Sequence, residues 1–180
     1  MSLESGRANI LNVSRQQLVD WLAERGIAAY RAGQILKWIH RRQKDDFAEM
    51  SDIAKEVRAL LPQHFRIPRL EIRALQTSTD GTRKYLFGLE DGETIESVLI
   101  PERDHFTLCV SSQVGCAQNC RFCLTAKSKL RRNLTCGEII AQVRDIKHGL
   151  AHAHEHEVAQ LLRRGEPVLD VADLGNDLAA

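Results

Sequence analysis

The sequence predicts an α+β unit followed by the opening of an α/β repeat. Three observations carry this. Apolar residues recur at helical spacing through the first third of the chain. The next stretch alternates apolar and polar residues around two Asp-Gly turn signals. A strand-like run, a cysteine-rich loop and a capped helix then follow in that order. The expected units are residues 1–68 (a helical accessory domain), 69–104 (an antiparallel β meander) and 105–180 (the start of an α/β core).

In the helical unit, Ser14 and Gln17 make a capping box, and Val13 can staple onto Leu18. Leu18, Trp21 and Leu22 form one stripe that ends at Gly26. A second helix is expected from about Arg31, with Ile35, Leu36, Trp38 and Ile39 inward and Lys37, Arg41, Arg42 and Lys44 outward. A third is expected from Ser51 as N-cap, burying Ile53, Val57, Leu60 and Leu61, with Pro62 and Pro68 closing the unit. The basic face of the second helix suits either a solvated surface or RNA contact.

In the meander, Leu70, Ile72 and Ala74 alternate with Glu71 and Arg73, and Tyr85, Phe87 and Leu89 alternate after Asp80-Gly81. Asp91-Gly92 leads into Thr94–Ile100, ended by Pro101. Phe106, Leu108 and Val110 then share one strand face, with Thr107, Cys109 and Ser111 on the other. Beyond the cysteine loop, Thr135 and Glu138 form a second capping box and Leu134 and Ile139 a second staple. Ile139, Val143, Ile146 and Leu150 give the next helix its apolar face.

Bulk properties exclude several classes. An apolar share of 43% and a charged share of 27% over 180 residues are those of an ordinary globular chain. The net charge of +1 neither requires nor excludes a nucleic-acid partner. No apolar run suits a signal peptide or a membrane span, so no membrane partner and a cytoplasmic location are expected. Five cysteines, three of them clustered, read as a metal site rather than a disulfide framework.

The cluster is Cys116, Cys120 and Cys123, spaced Cys-x3-Cys-x2-Cys. Three thiolates on one short loop can hold three irons of an iron–sulfur cube and leave the fourth open, whereas electron-transfer clusters usually take four cysteines. By residue type alone, a zinc site completed by Cys109 or a histidine, or inert buried cysteines, are the alternatives.

The run Thr107-Leu-Cys-Val-Ser-Ser-Gln-Val-Gly-Cys-Ala-Gln-Asn-Cys-Arg-Phe-Cys123 resembles the signature of the radical S-adenosylmethionine RNA methyltransferases of the RlmN/Cfr family, nearest to the RlmN branch. Tyr30–Trp38, Phe47–Ser51, Asp80–Lys84, Ile95–Pro101 and Asn133–Ile140 resemble other family segments, so the likeness spans most of residues 10–147.

The resemblance implies that the strand, loop and helix from residue 105 open an incomplete radical-SAM barrel. It implies a [4Fe-4S] cluster on Cys116, Cys120 and Cys123, whose open iron binds S-adenosylmethionine and whose electron, from an external donor, cleaves the sulfonium. It implies methylation of carbon 2 of adenosine in 23S ribosomal RNA and in transfer RNA. Phe122 is then the residue to pack on the cofactor's adenine, or simply an apolar loop anchor. Glu96 takes the position of the family's proton acceptor; its strand face, shared with Val98 and Ile100, suggests partial burial and a raised pKa. Otherwise it is an exposed strand carboxylate. Cys109 matches the cysteine that resolves a covalent RNA–enzyme intermediate through a transient disulfide; otherwise it is a small buried hydrophobe.

Two further features stand outside the match. Lys127–Arg132 could contact RNA phosphates or remain a solvated loop. His148, His152 and His156 lie on one helix face, more simply as an exposed His/Glu helix than as a metal site. The later strand–helix units of the family and its methyl-carrying cysteine have no counterpart here; Cys136 lies too early, and Gly165-Glu-Pro167 matches the family's cofactor motif only superficially. The expectation is an N-terminal portion, inactive by itself. A non-catalytic RNA-binding remnant and a zinc-stabilised interaction module are the competing readings.

Overall fold

A computed structural model describes residues 6–118, 121 and 129–164, with residues 151–164 as backbone alone. The helical unit runs β1 (Ala8–Asn9), a 3-10 turn at Ile10–Asn12, α1 (Arg15–Ala23), α2 (Tyr30–His40), a second 3-10 turn at Phe47–Glu49, α3 (Lys55–His64) and β2 (Phe65–Arg66). The short strands β1 and β2 pair in parallel and tie the two ends of this unit together. Ser14 and Gln17 form the expected capping box, with the Gln17 N–H on Ser14 Oγ at 3.2 Å and the Ser14 N–H on Gln17 Oε1 at 2.8 Å. Leu18, Leu22, Ile35, Ile39, Met50 and Leu61 are fully buried in one core. Each such side chain contributes about 1.5–3 kcal/mol relative to exposure.

The third helix departs from expectation at both ends. Ser51 does not cap it: the chain turns at Met50–Ile53 and the helix begins after extended Ala54. The neighbouring Asp52 carboxylate is already engaged, accepting the Trp38 indole N–H. Pro62 lies inside α3 rather than beyond it. It sits in the last turn, so its missing N–H costs a single ladder bond and the helix ends two residues later.

β3 (Glu71–Thr77), β4 (Arg83–Gly88), β5 (Thr94–Pro101) and β6 (Phe106–Cys109) form one antiparallel sheet in that order. Both Asp-Gly turns close as expected. The glycine N–H meets the carbonyl three residues back, the aspartate accepts the N–H two residues on, and Gly81 and Gly92 sit at φ +84° and +86°. β6 pairs antiparallel with β5 instead of opening a separate parallel layer. The Glu102–His105 turn, closed by a 2.8 Å bond, is far too short for the crossover that a parallel partner needs.

Tyr85, Phe87, Ile95 and Leu99 cover one face of the sheet beneath Ile146 of α4 (Cys136–Arg164). β3 does not share in this. All seven of its residues are exposed, including Ile72 and Leu75, because the helix lies over β4 and β5 and, among the described residues, nothing is layered on the outer strand. β7 (Gln113–Val114) and β8 (Arg132–Asn133) pair antiparallel and bring the two ends of the cysteine segment together.

α4 is wedged between the two cores. Ile140 and Ala141 join the helical one; Ile139, Ile146 and Leu150 join the sheet. Val143, expected on the apolar face, is 42% exposed, while Gln142, Arg144 and Asp145 are buried. A helix with two buried sides must place polar residues between them, and these are all bonded. Arg144 reaches the Ile39 carbonyl and Asp45 Oδ1 (2.6 Å), and Asp145 accepts from Arg69 (3.1 Å) and the Leu70 N–H (2.7 Å). At the start of α4 the Gly137 N–H donates to Asn12 Oδ1 at 2.6 Å.

Candidate functional site

The alternation of β4, β5 and β6 sorts their residues onto two faces. Tyr85, Phe87, Ile95, Ser97, Leu99 and Leu108 turn toward α4. Lys84, Leu86, Glu96, Val98 and Cys109 line a cavity of about 700 Å³ on the opposite face. Val98 and Cys109 are directly opposed across β5 and β6, so Glu96 is the diagonal neighbour of Cys109. Two of the residues singled out in the sequence are thereby brought to one cavity.

The burial expected of Glu96 is absent. Its side chain is 51% exposed, and its carboxylate meets Lys84 Nζ at 3.2 Å. The strand alternation is right, but nothing is stacked on this face among the described residues. Cys109 is likewise exposed and free, so the buried-hydrophobe alternative does not hold. Lys84, one strand away on the same face, is a cavity residue the sequence reading did not single out; the alternation about Tyr85 was the signal available.

The same cavity is lined by Gln113, Val114 and Gly115, which lead directly to Cys116. Gly115 adopts φ +75°, a left-handed turn that glycine takes without steric cost, and it redirects the chain out of β7. Cys116 is half-buried, and its sulfur accepts the Gln118 N–H at 3.4 Å. Cys120, Phe122 and Cys123 lie outside the described residues. The segment is closed at its base by the Arg131 N–H to the Val114 carbonyl (2.9 Å) and the Leu134 N–H to the Ser112 carbonyl (2.9 Å).

The donor set fits an iron–sulfur cluster. It offers three cysteine thiols in sequence, and the described one, Cys116, carries the kind of backbone N–H···S bond that tunes such sulfurs.

The arginines of the basic run make ion pairs that the sequence does not announce. Arg131 pairs with Glu93 (2.7 Å), and Arg132 bridges Asp91 (2.7 Å) and Glu138 (2.7 Å). Both arginines hold the corner between the meander and α4, Lys129 remains exposed, and Lys127 and Ser128 lie outside the described residues. The side chains of His152 and His156 do so too.

Residues 8–67 match the family model described as ribosomal RNA large subunit methyltransferase N-terminal domain. The chain is 52% identical over 159 residues to the dual-specificity RNA methyltransferase RlmN of Desulfosudis oleivorans, covering 88% of this chain and 43% of that protein. It is 53% identical over 135 residues to the RlmN of Geobacter sulfurreducens, covering 75% and 38%. The sequence is RlmN-like. A crystal structure of a radical SAM methyltransferase from Sphaerobacter thermophilus superposes with a TM-score of 0.70 at 38% identity, over 81% of this chain and 43% of that one. The RlmN-like chain thus spans less than half the length of these relatives, and its mixed helix-and-sheet fold is the one that the radical SAM enzyme shares. No helix among its described residues is long and apolar enough to cross a membrane.

Proposed function

We propose that this chain forms the cluster-bearing, proton-accepting part of a radical-SAM methyltransferase acting on carbon 2 of adenine in ribosomal and transfer RNA. The observation that carries the reading is the convergence of Glu96, Cys109 and the approach to Cys116 on one cavity. Cys116, Cys120 and Cys123 would hold three irons of a [4Fe-4S] cluster. Together with S-adenosylmethionine and an external electron donor, the bound cluster supplies the radical chemistry.

The chain's own residues have simpler tasks. The Glu96 carboxylate stands over the open face as acceptor of a proton from the substrate, held at 3.2 Å by Lys84 Nζ. The exposed Cys109 thiol, diagonal to Glu96, is in reach of a substrate held by that carboxylate; it would attack the sulfur of a cysteine linked to the RNA and supplied from outside these residues, so that the carbon–sulfur bond to the RNA breaks as the disulfide forms. Phe122 would cover the cofactor's adenine. The helical unit would bring the RNA, with exposed Lys37, Arg41 and Arg42 as phosphate contacts. The protein would work in the cytoplasm.

Anaerobic reconstitution with iron and sulfide tests this. The expected product is brown, with an EPR-active reduced cluster whose signal changes when S-adenosylmethionine is added. A cluster indifferent to that addition would sink the proposal. Colourless, zinc-loaded protein would instead support an interaction module. RNA binding without any cluster, unaffected when all three cysteines are replaced by alanine, would support an RNA-binding remnant. Because these residues match under half of each relative, cofactor binding is the readout, and methyl transfer by them alone is not expected.

A further inference from the structure

Gln142 is fully buried, yet it belongs to neither apolar core. Its amide makes four hydrogen bonds. Oε1 accepts from Ser97 Oγ and from the Ser111 N–H, both at 2.8 Å. Nε2 donates to the Ser111 carbonyl at 3.0 Å and to the Glu138 carbonyl at 3.2 Å. Ser111 Oγ in turn donates to the Glu96 carbonyl at 2.7 Å.

The placement of these bonds matters more than their number. The β5–β6 pairing ends at Cys109, and β7 begins at Gln113. Between them the chain has left one ladder and not yet entered the next. Gln142 grips both backbone polar groups of Ser111 there, as a paired strand would, and anchors them to Ser97, the residue after Glu96.

We propose that Gln142 is a positioning residue: its side-chain amide substitutes for the missing strand pairing and sets where the segment joining Cys109 to the cysteine loop leaves the sheet relative to Glu96. This gives a role to a residue that does not line the cavity. Its significance for catalysis rests on the function proposed above, but the positioning itself does not.

Hydrogen exchange read by mass spectrometry on the metal-free full chain separates the two. In Gln142→Met, which keeps volume and removes both amide groups, exchange across residues 110–116 should rise about tenfold or more, the equivalent of losing one or two net hydrogen bonds. Peptides from α1, α2 and α3 should keep their wild-type rates.

Gln142→Glu supplies a readout that simple core filling would not move. A protonated carboxyl can accept from Ser97 and Ser111 and donate to the Ser111 carbonyl, whereas a carboxylate confronts two carbonyl oxygens. Relative to wild type at each pH, this variant should protect the segment at low pH and resemble Gln142→Met once the introduced carboxyl ionises. Ser97→Ala, which leaves both Ser111 bonds intact, should stay within about threefold of wild type.

A uniform rise in exchange throughout Gln142→Met, or no pH-dependent difference between Gln142→Glu and wild type, would overturn the proposal. Failure of the wild-type chain to take up iron and sulfide would sink the methyltransferase reading and leave this one standing.

Discussion

At the scale of single residues, Gly137 shows how a close approach dictates a side chain. A Cβ there would lie 2.7 Å from Asn12 Oδ1 and 2.9 Å from Asn9 Nδ2, and those asparagines belong to the opposite end of the chain's path. Gly137→Ala must push Asn12 aside and loosen its 2.6 Å bond to the Gly137 N–H. The expected loss is about 1–3 kcal/mol in urea unfolding, against the usual gain from replacing glycine inside a helix. Replacing Asn12 by alanine in the same chain should recover part of it. Glu96 makes the contrasting case. Its pair with Lys84 is about half exposed, so Glu96→Gln should alter stability by less than about 0.5 kcal/mol. Its alternation was legible in the sequence; its exposure was not, because strand periodicity says which face a residue takes but not what covers that face.

Among the elements, the capping boxes were the most legible features, since each is written in four consecutive residues. Ser14 with Gln17 and Thr135 with Glu138 both form as expected. Faces that depend on a distant partner were not. α4 has two buried sides, so Val143 is exposed where helical spacing alone expects burial, and Val143→Gln should cost less than about 0.5 kcal/mol. The sequence leaves the arginines at β8 between RNA contact and a solvated loop because nothing local announces the partners of Arg132, Asp91 and Glu138.

Those partners make the corner acid-sensitive. Burial alone would raise the Glu138 carboxyl, but hydrogen bonds from Arg132 and Thr135 outweigh it and hold it below its ordinary value. For Asp91, burial is likewise outweighed by the Glu93 N–H and Arg132. Carboxyls lowered in the folded state add stability above their unfolded values, and that stability is lost as pH falls through the folded ones. Asp145, raised by burial, works in the opposite sense and offsets part of the loss. Urea midpoints should therefore fall as pH drops below about 4.5, and Arg132→Met should flatten that dependence.

Across the whole molecule, the helical unit, the sheet and α4 are joined by buried charge as well as by apolar contact. The order of elements was readable from spacing and turns, but the joint was not, because Asp45, Arg69 and the adjacent pair Arg144-Asp145 come from three distant stretches of sequence and look like surface residues. Arg144 is the member with most at stake: its side chain is 5% exposed, and it holds the Ile39 carbonyl at the end of α2 together with Asp45. Removing it leaves the part-exposed Asp45 carboxylate to Arg69 alone and takes a donor from the Ile39 carbonyl, a loss of about 1–3 kcal/mol. The two tryptophans, Trp21 and Trp38, both sit in the helical unit, so their fluorescence reports that unit alone. In the wild-type chain, fluorescence and far-ultraviolet circular dichroism should unfold together in urea as one transition. In Arg144→Ala the fluorescence transition should separate from the dichroism, because the helical core keeps its own contacts while its tie to α4 is cut. Coincident transitions shifted together would mean that the apolar seam of Ile140 and Ala141 couples the units without the charges.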